Sequence, residues 1–153
     1  MAMMPWLEHV TVNWDHWGLA FWLSRPMPES VLQRFHENQD VFDIRFLEDI
    51  LARLGEDTDV LAQLGHLYTR AGRHRHGLAV DRRLAVLRPR DPIVHYNLAC
   101  SYALLKQTGR AFAALKKAVG LGYRDVAHMQ QDPDLENLRH GPQWNDLIGV
   151  LKS

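Results

Sequence analysis

The chain has 153 residues, 46% of them hydrophobic, which is enough for one well-buried domain and too little for two independent cores. Eighteen Lys plus Arg offset eighteen Asp plus Glu, so the formal net charge is zero and no global field recruits nucleic acid or an anionic membrane. The single cysteine, Cys100, excludes an intrachain disulfide and a Cys-based zinc cage and fits a reducing cytoplasm; no apolar run approaches the roughly 18 residues of a membrane-spanning helix.

Residues 1–28 hold four of the five tryptophans, Trp6, Trp14, Trp17 and Trp22. Val10, Trp14, Trp17 and Phe21 fall at i, i+4, i+7 and i+11, one apolar stripe if the segment is helical, with Asn13 or Asp15 as its cap. The alternation of Val10 and Val12 with polar residues also suits a strand over 9–14. The stripe reads as a cap on the helices that follow. A self-association seam of Trp14, Trp17, Phe21 and Trp22, giving a homodimer, is the alternative. A membrane-surface anchor is disfavoured by the scarcity of Lys and Arg before Arg25. The opening MAMMPWLEHV lacks a basic region followed by an apolar core, so a secretory signal is not expected.

Pro26 and Pro28 precede a helix predicted over 29–37, and Asp40 opens a second over 40–54 that Gly55 ends. Together, residues 29–57 read as a diverged helical hairpin, its second helix burying Ile44, Leu47, Leu51 and Leu54 with Phe46 and Ile50. Two clearer hairpins follow, in units 58–91 and 92–125, with helices at 58–71, 74–87, 92–105 and 108–120. An offset of 34 residues superposes Asp57 on Asp91, Val60 on Val94, Leu64 on Leu98, Tyr68 on Tyr102 and Leu87 on Leu121. Self-similarity at such a period marks a solenoid unit. Residues 126–153 read as closing helices, the first capped by Asp125, the next opened by Pro133 and running to about 140, the last restarting at Gly141 and Pro142. Leu135, Leu138, Trp144, Leu147 and Leu151 are the predicted buried set there.

The two copies, DVLAQLGHLYTRAGRHRHGLAVDRRLAVLRP and IVHYNLACSYALLKQTGRAFAALKKAVGLGY, resemble the degenerate signature of the tetratricopeptide (TPR) family. Leu64, Gly65, Tyr68, Gly77 and Pro89 stand at signature places in the first copy, and Leu98, Ala99, Tyr102, Ala111 and Ala118 in the second. Asp81 departs from it, at a place usually aromatic. The resemblance implies an all-α, right-handed α-solenoid of helical hairpins with terminal capping segments. It also implies a concave groove lined by the first helix of each hairpin. Carried over, the groove positions are Asp59, Ala62, Gln63, His66, Thr69 and Arg70, then Ile93, Tyr96, Asn97 and Cys100. The family's clamp for chaperone C-termini is matched only at Asn97, since Ala62 and His66 replace its lysine and first asparagine; Arg70 is the one nearby cation that a carboxylate clamp would draw on.

Residues 29–60 carry nine acids against three arginines, a net of minus six, and residues 70–90 carry seven arginines against Asp81, a net of plus six. Either successive hairpins attract each other across their interface or the arginine side meets an acidic partner. His74 and His76 make an HxH pair, but flanking arginines oppose a cation and no third ligand is near in sequence, so no metal or other cofactor is expected. No phosphate loop, GxSxG, HExxH or CxxC occurs. Cys100, with His66 or His95 as base, is the only nucleophile to consider, and its neighbours in NLACSYALL favour a small buried side chain. The expected function is non-catalytic binding of a protein or peptide in the groove, with self-assembly through the Trp-rich segment as the rival.

Overall fold

The computed structural model describes residues 29–152, and every regular element among them is helical. The tryptophan stripe and all readings of residues 1–28 lie outside the described residues. Contacts divide the chain between His36 and Glu37, and the packing below belongs to residues 37–152.

Helix α1, Glu29–Leu54, is one uninterrupted helix of 26 residues, which corrects the expectation of a hairpin over 29–57. No glycine or proline falls within it. Asp40, the predicted cap of a separate second helix, instead turns to Arg70, whose Nε donates to both of its carboxylate oxygens at 3.0 and 3.1 Å. With its carboxylate turned to Arg70, Asp40 does not act as a cap, and the helix continues. Ile44 and Leu47 are buried and Ile50 and Leu51 partly so, whereas Leu54 is 81% and Phe46 56% exposed, against the predicted stripe. Gly55, at φ +83°, ends α1.

Helices α2 (Thr58–Arg70), α3 (His74–Leu87), α4 (Pro92–Leu104) and α5 (Thr108–Gly120) begin where the repeat predicts and end within a residue of it. Asp57 caps α2 by accepting from the N–H groups of Asp59 and Val60 at 2.9 and 3.0 Å; Asp91 repeats the arrangement on Ile93 and Val94. Each pair closes through the same turn: Arg73 N–H donates to Tyr68 O at 2.8 Å, and Gln107 N–H to Tyr102 O at 2.9 Å. The left-handed residue of that turn is Gly72 in the first pair and Lys106, at φ 58°, in the second.

Within the first pair the helices run antiparallel and close. A Cβ on Gly65 would stand 3.0 Å from Asp81 Oδ1, and one on Gly77 would stand 3.3 Å from Thr69 Oγ1 and 3.6 Å from Gly65 O. The equivalent residues of the second pair, Ala99 and Ala111, are fully buried. Small residues at these crossings let the backbones approach. Ile44, Leu84, Leu115, Met129, Leu135 and Leu138 are the largest fully buried side chains, each contributing about 2 kcal/mol by burial.

The register extends further than the sequence shows. Helix α6, Val126–Gln131, starts 34 residues after α4, and α7, Pro142–Lys152, starts 34 residues after α5. Asp125 caps α6 as Asp57 and Asp91 cap their helices, accepting from His128 N–H at 2.9 Å. The closing segment is therefore a third pair whose first helix is broken at Pro133. The remainder, Pro133–Leu138, is a 3-10 helix rather than a helix to residue 140. It packs on α4, with Leu135 and Leu138 buried; Trp144 and Leu147 are buried as predicted and Leu151 is partly buried.

Candidate functional site

The groove positions of α2 and those of α4 have opposite fates. On α2, Ala62, Gln63, His66 and Arg70 join Leu67 and, from α1, Asp43, Phe46 and Leu47 around an open cleft of about 620 Å³. Leu47 and Leu67 form its buried floor. Phe46 forms one wall and stacks on Phe42, ring centroids 6.4 Å apart; Phe42 is 63% exposed. The cleft exists because α1 runs on past Asp40 as a single helix and lies along α2.

Two α2 positions carried over from the resemblance are not in the cleft. Asp59 sits at the start of α2 and binds Arg88 Nη2 at 2.7 Å. Thr69 is half-buried against Gly77 on the α3 side. Arg70 lines the cleft, but its guanidinium is held by Asp40, with Asp43 close enough to favour its charge further. Its charge is thus already paired, so a ligand carboxylate there would compete with Asp40.

On α4 the closing segment from Asp125 onward, the tail, covers Tyr96 and Cys100. Tyr96 is buried, stacked on Tyr123 at 4.4 Å between centroids, and its hydroxyl donates to Asp132 Oδ2 at 2.6 Å. Burial first, then that carboxylate, hold the Tyr96 phenol far above the usual tyrosine range. Cys100 is 7% exposed beneath the same segment, and Asn137 Nδ2 ties the 3-10 helix to Ala103 O at 2.7 Å. Asn97 and Ile93 remain exposed but outside the cleft.

The charge runs resolve into particular pairs. Arg70 meets Asp40, Arg83 meets Glu56 with its Nη2 donating at 2.6 Å, and Arg88 meets Asp59 and Thr58, each joining elements about 30 residues apart. Arg70–Asp40 and Arg83–Glu56 join the expected units 29–57 and 58–91, as attraction between successive hairpins anticipates, whereas Arg88–Asp59 lies within 58–91. Solvent screens the Arg83–Glu56 and Arg88–Asp59 pairs, whereas Asp40 is buried and needs its partner. Arg75, Arg82 and Arg90 stay exposed. Asp81 lies buried among α2, α3 and α4, accepting from Ser101 Oγ, and burial raises its carboxyl to about 6.

Burial, and then the carboxylates of Asp132 and Asp134, keep the Cys100 thiol well above its ordinary range and hence protonated. His95, one of the two bases considered for it, donates its Nε2–H to Pro89 O at 2.9 Å. In the HxH turn, His76 lies on Tyr68 with centroids 5.2 Å apart, and His74 has a buried Nδ1 without a hydrogen-bond partner. Sequence reasoning missed Asp43, Phe46, Leu47 and Leu67 as cleft residues. The available signal was the Phe42–Phe46 pair, two large apolar rings at i, i+4 lying outside the Ile44–Leu47–Leu51 stripe of their own helix.

No helix among the described residues is long and apolar enough to cross a membrane. No family model matches the chain, and no solved structure does. Over 56 residues it is 38% identical to a protein of Arabidopsis thaliana described as chloroplastic, a stretch that spans 37% of this chain and only 17% of that protein.

Proposed function

We infer that this chain is a small non-catalytic binding protein of the TPR-like kind, a right-handed solenoid of helical hairpins that takes a segment of another protein into the cleft between α1 and α2. The observation that carries the reading is the coincidence of four groove positions, Ala62, Gln63, His66 and Arg70, with the open cleft. The duplicated capping, turn and crossing geometry supports the solenoid assignment. Leu47, Leu67 and the exposed ring of Phe46 offer apolar anchorage, and Gln63 and His66 offer hydrogen bonds along one face. That combination suits the apolar face of a helix or an extended segment with alternate apolar side chains. Because Arg70 is already paired while Asp43 stands in the lining, the cleft favours a neutral or basic segment over a terminal carboxylate. A cytoplasmic setting belongs to the same proposal.

The test is selection of peptides from a displayed random library against the full chain, followed by affinity measurement on the variant carrying Gln63→Ala and His66→Ala. Both residues are exposed, so the variant should keep its helical circular dichroism and melt within about 2 °C of the parent. Binding at least tenfold weaker supports the reading. Peptides whose affinity ignores both substitutions and Phe46→Ala overturn it.

A further inference from the structure

Three side chains that the sequence scatters over positions 100, 132 and 134 meet where the tail crosses α4, with His128 beside Asp132. The Cys100 thiol and one carboxylate oxygen each from Asp132 and Asp134 lie within 4.8 Å of one another. Cys100 Sγ is 3.6 Å from Asp132 Oδ2, and His128 Nε2 approaches the same oxygen at 3.6 Å. A thiol, two carboxylates and an imidazole are the donor types that a borderline divalent ion accepts together. With zinc bonds of about 2.0–2.3 Å, the corners of a tetrahedral site stand roughly 3.3–3.8 Å apart. A contraction of about 1 Å would therefore close the Cys100, Asp132 and Asp134 set.

The surroundings are those of a supported site rather than of loose surface acids. Asp132 is fixed twice, Oδ1 accepting from Asp134 N–H at 3.0 Å and Oδ2 from the Tyr96 hydroxyl at 2.6 Å, and Arg139 Nη2 donates to its carbonyl oxygen. Such outer bonds orient a ligating carboxylate. The Asp134 carboxylate has a different character. It is partly buried beside a second carboxylate, and among the described residues it takes neither a hydrogen bond nor an ion pair. Burial, then Asp132, push its carboxyl above the ordinary range, while His74 and His66 pull it down. Burial and both carboxylates push up the Cys100 thiol. A cation among the three would reverse these effects, displacing the thiol proton to solvent.

We propose that Cys100, Asp132 and Asp134 form a binding site for one divalent ion of the zinc and cobalt class, clamping the tail to α4; His128, beside Asp132, would turn in as fourth donor. Bound there, the ion would stabilise the folded chain by mass action. The site adjoins the α1/α2 cleft through His66, which acts on Asp134, and its test uses no peptide.

The experiment is a titration of the reduced, metal-free full chain with Co²⁺, followed by Zn²⁺. One equivalent of Co²⁺ should raise a thiolate-to-cobalt charge-transfer band in the near ultraviolet, which Zn²⁺ abolishes by displacement. Cys100→Ser should remove the band, and Asp134→Asn should weaken Co²⁺ binding at least tenfold while keeping the parent circular dichroism. His76→Ala, in the HxH turn, should bind as the parent does. Absence of the band in the parent overturns the proposal. So does metal binding that survives both Cys100→Ser and Asp134→Asn. Should Cys100→Ser fail to fold, Asp134→Asn decides, since that carboxylate makes no bond whose loss would unfold the chain.

Discussion

The faces of α2 and α4 descend from the same repeated positions, yet one is open and the other is sealed. Facing α2 is the side of α1, which leaves a cleft between Phe46 and His66. Across α4 lies a helical pair broken at Pro133, which brings Asp132 onto Tyr96 and buries Leu135 and Leu138. The difference teaches that a repeated surface acquires a function only through what lies against it. Identical register gives equivalent positions, and the neighbouring element decides whether they become core or site.

The strongest way to break the contrast is to unseal α4. Leu135 is fully buried, so Leu135→Ala should cost about 3 kcal/mol through lost transfer energy and the cavity left behind. Phe46→Ala, on the open face, should cost under about 1 kcal/mol, because its ring is already 56% exposed. Urea unfolding of the two variants reads the difference directly. Similar costs would mean that the two faces are equally covered.

Asp81 tests the seam between the faces. Its folded carboxyl titrates near 6, above the ordinary 3.8, so the folded state holds this proton more tightly than the unfolded one. Below the unfolded value both states are protonated and the group is neutral to stability. As pH rises from about 4 to about 6, folding is progressively penalised, reaching on the order of 2–3 kcal/mol once Asp81 is ionised in both states. Asp81→Asn keeps an acceptor for Ser101 and should raise stability at pH 7 by about 2 kcal/mol. It should also flatten the stability profile across that interval. An unchanged profile would show that the acid is better solvated than its burial implies.

Arg70→Ala should loosen α1 from α2 by leaving Asp40 buried without its guanidinium. Arg70 is itself half exposed, so the expected cost is about 1 kcal/mol rather than that of a fully buried pair. Thermal melts monitored by circular dichroism check it. The smallest effect compares the two turns: Lys106→Gly should gain up to about 1 kcal/mol, because glycine adopts φ near 58° without a Cβ penalty, and Gly72→Ala should lose a similar amount at φ +70°. A loss on Lys106→Gly would mean that the lysine side chain holds the turn by contacts.

The helices from α2 to α5 were legible because their signals are local. Asp57, Asp91 and Gly72 mark ends, and apolar residues at helical spacing mark faces. Helix α1 was misread because Asp40 carries a capping signature whose carboxylate in fact answers to Arg70, 30 residues on. The cleft follows from that continuity and could not be read from spacing within α2. The acid and arginine runs announced an attraction without naming its pairs. The meeting of Cys100 with Asp132 and Asp134 depends on a long-range crossing of the tail, and no short motif encodes it.

The most direct measurement is amide chemical-shift mapping of the full chain with a library-selected peptide. The account predicts perturbations concentrated at Ala62, Gln63, His66, Leu47 and Phe46, with Tyr96 and Cys100 unmoved beneath the tail. Perturbations centred on Tyr96, Asn97 and Cys100, with the α1/α2 face silent, would contradict it.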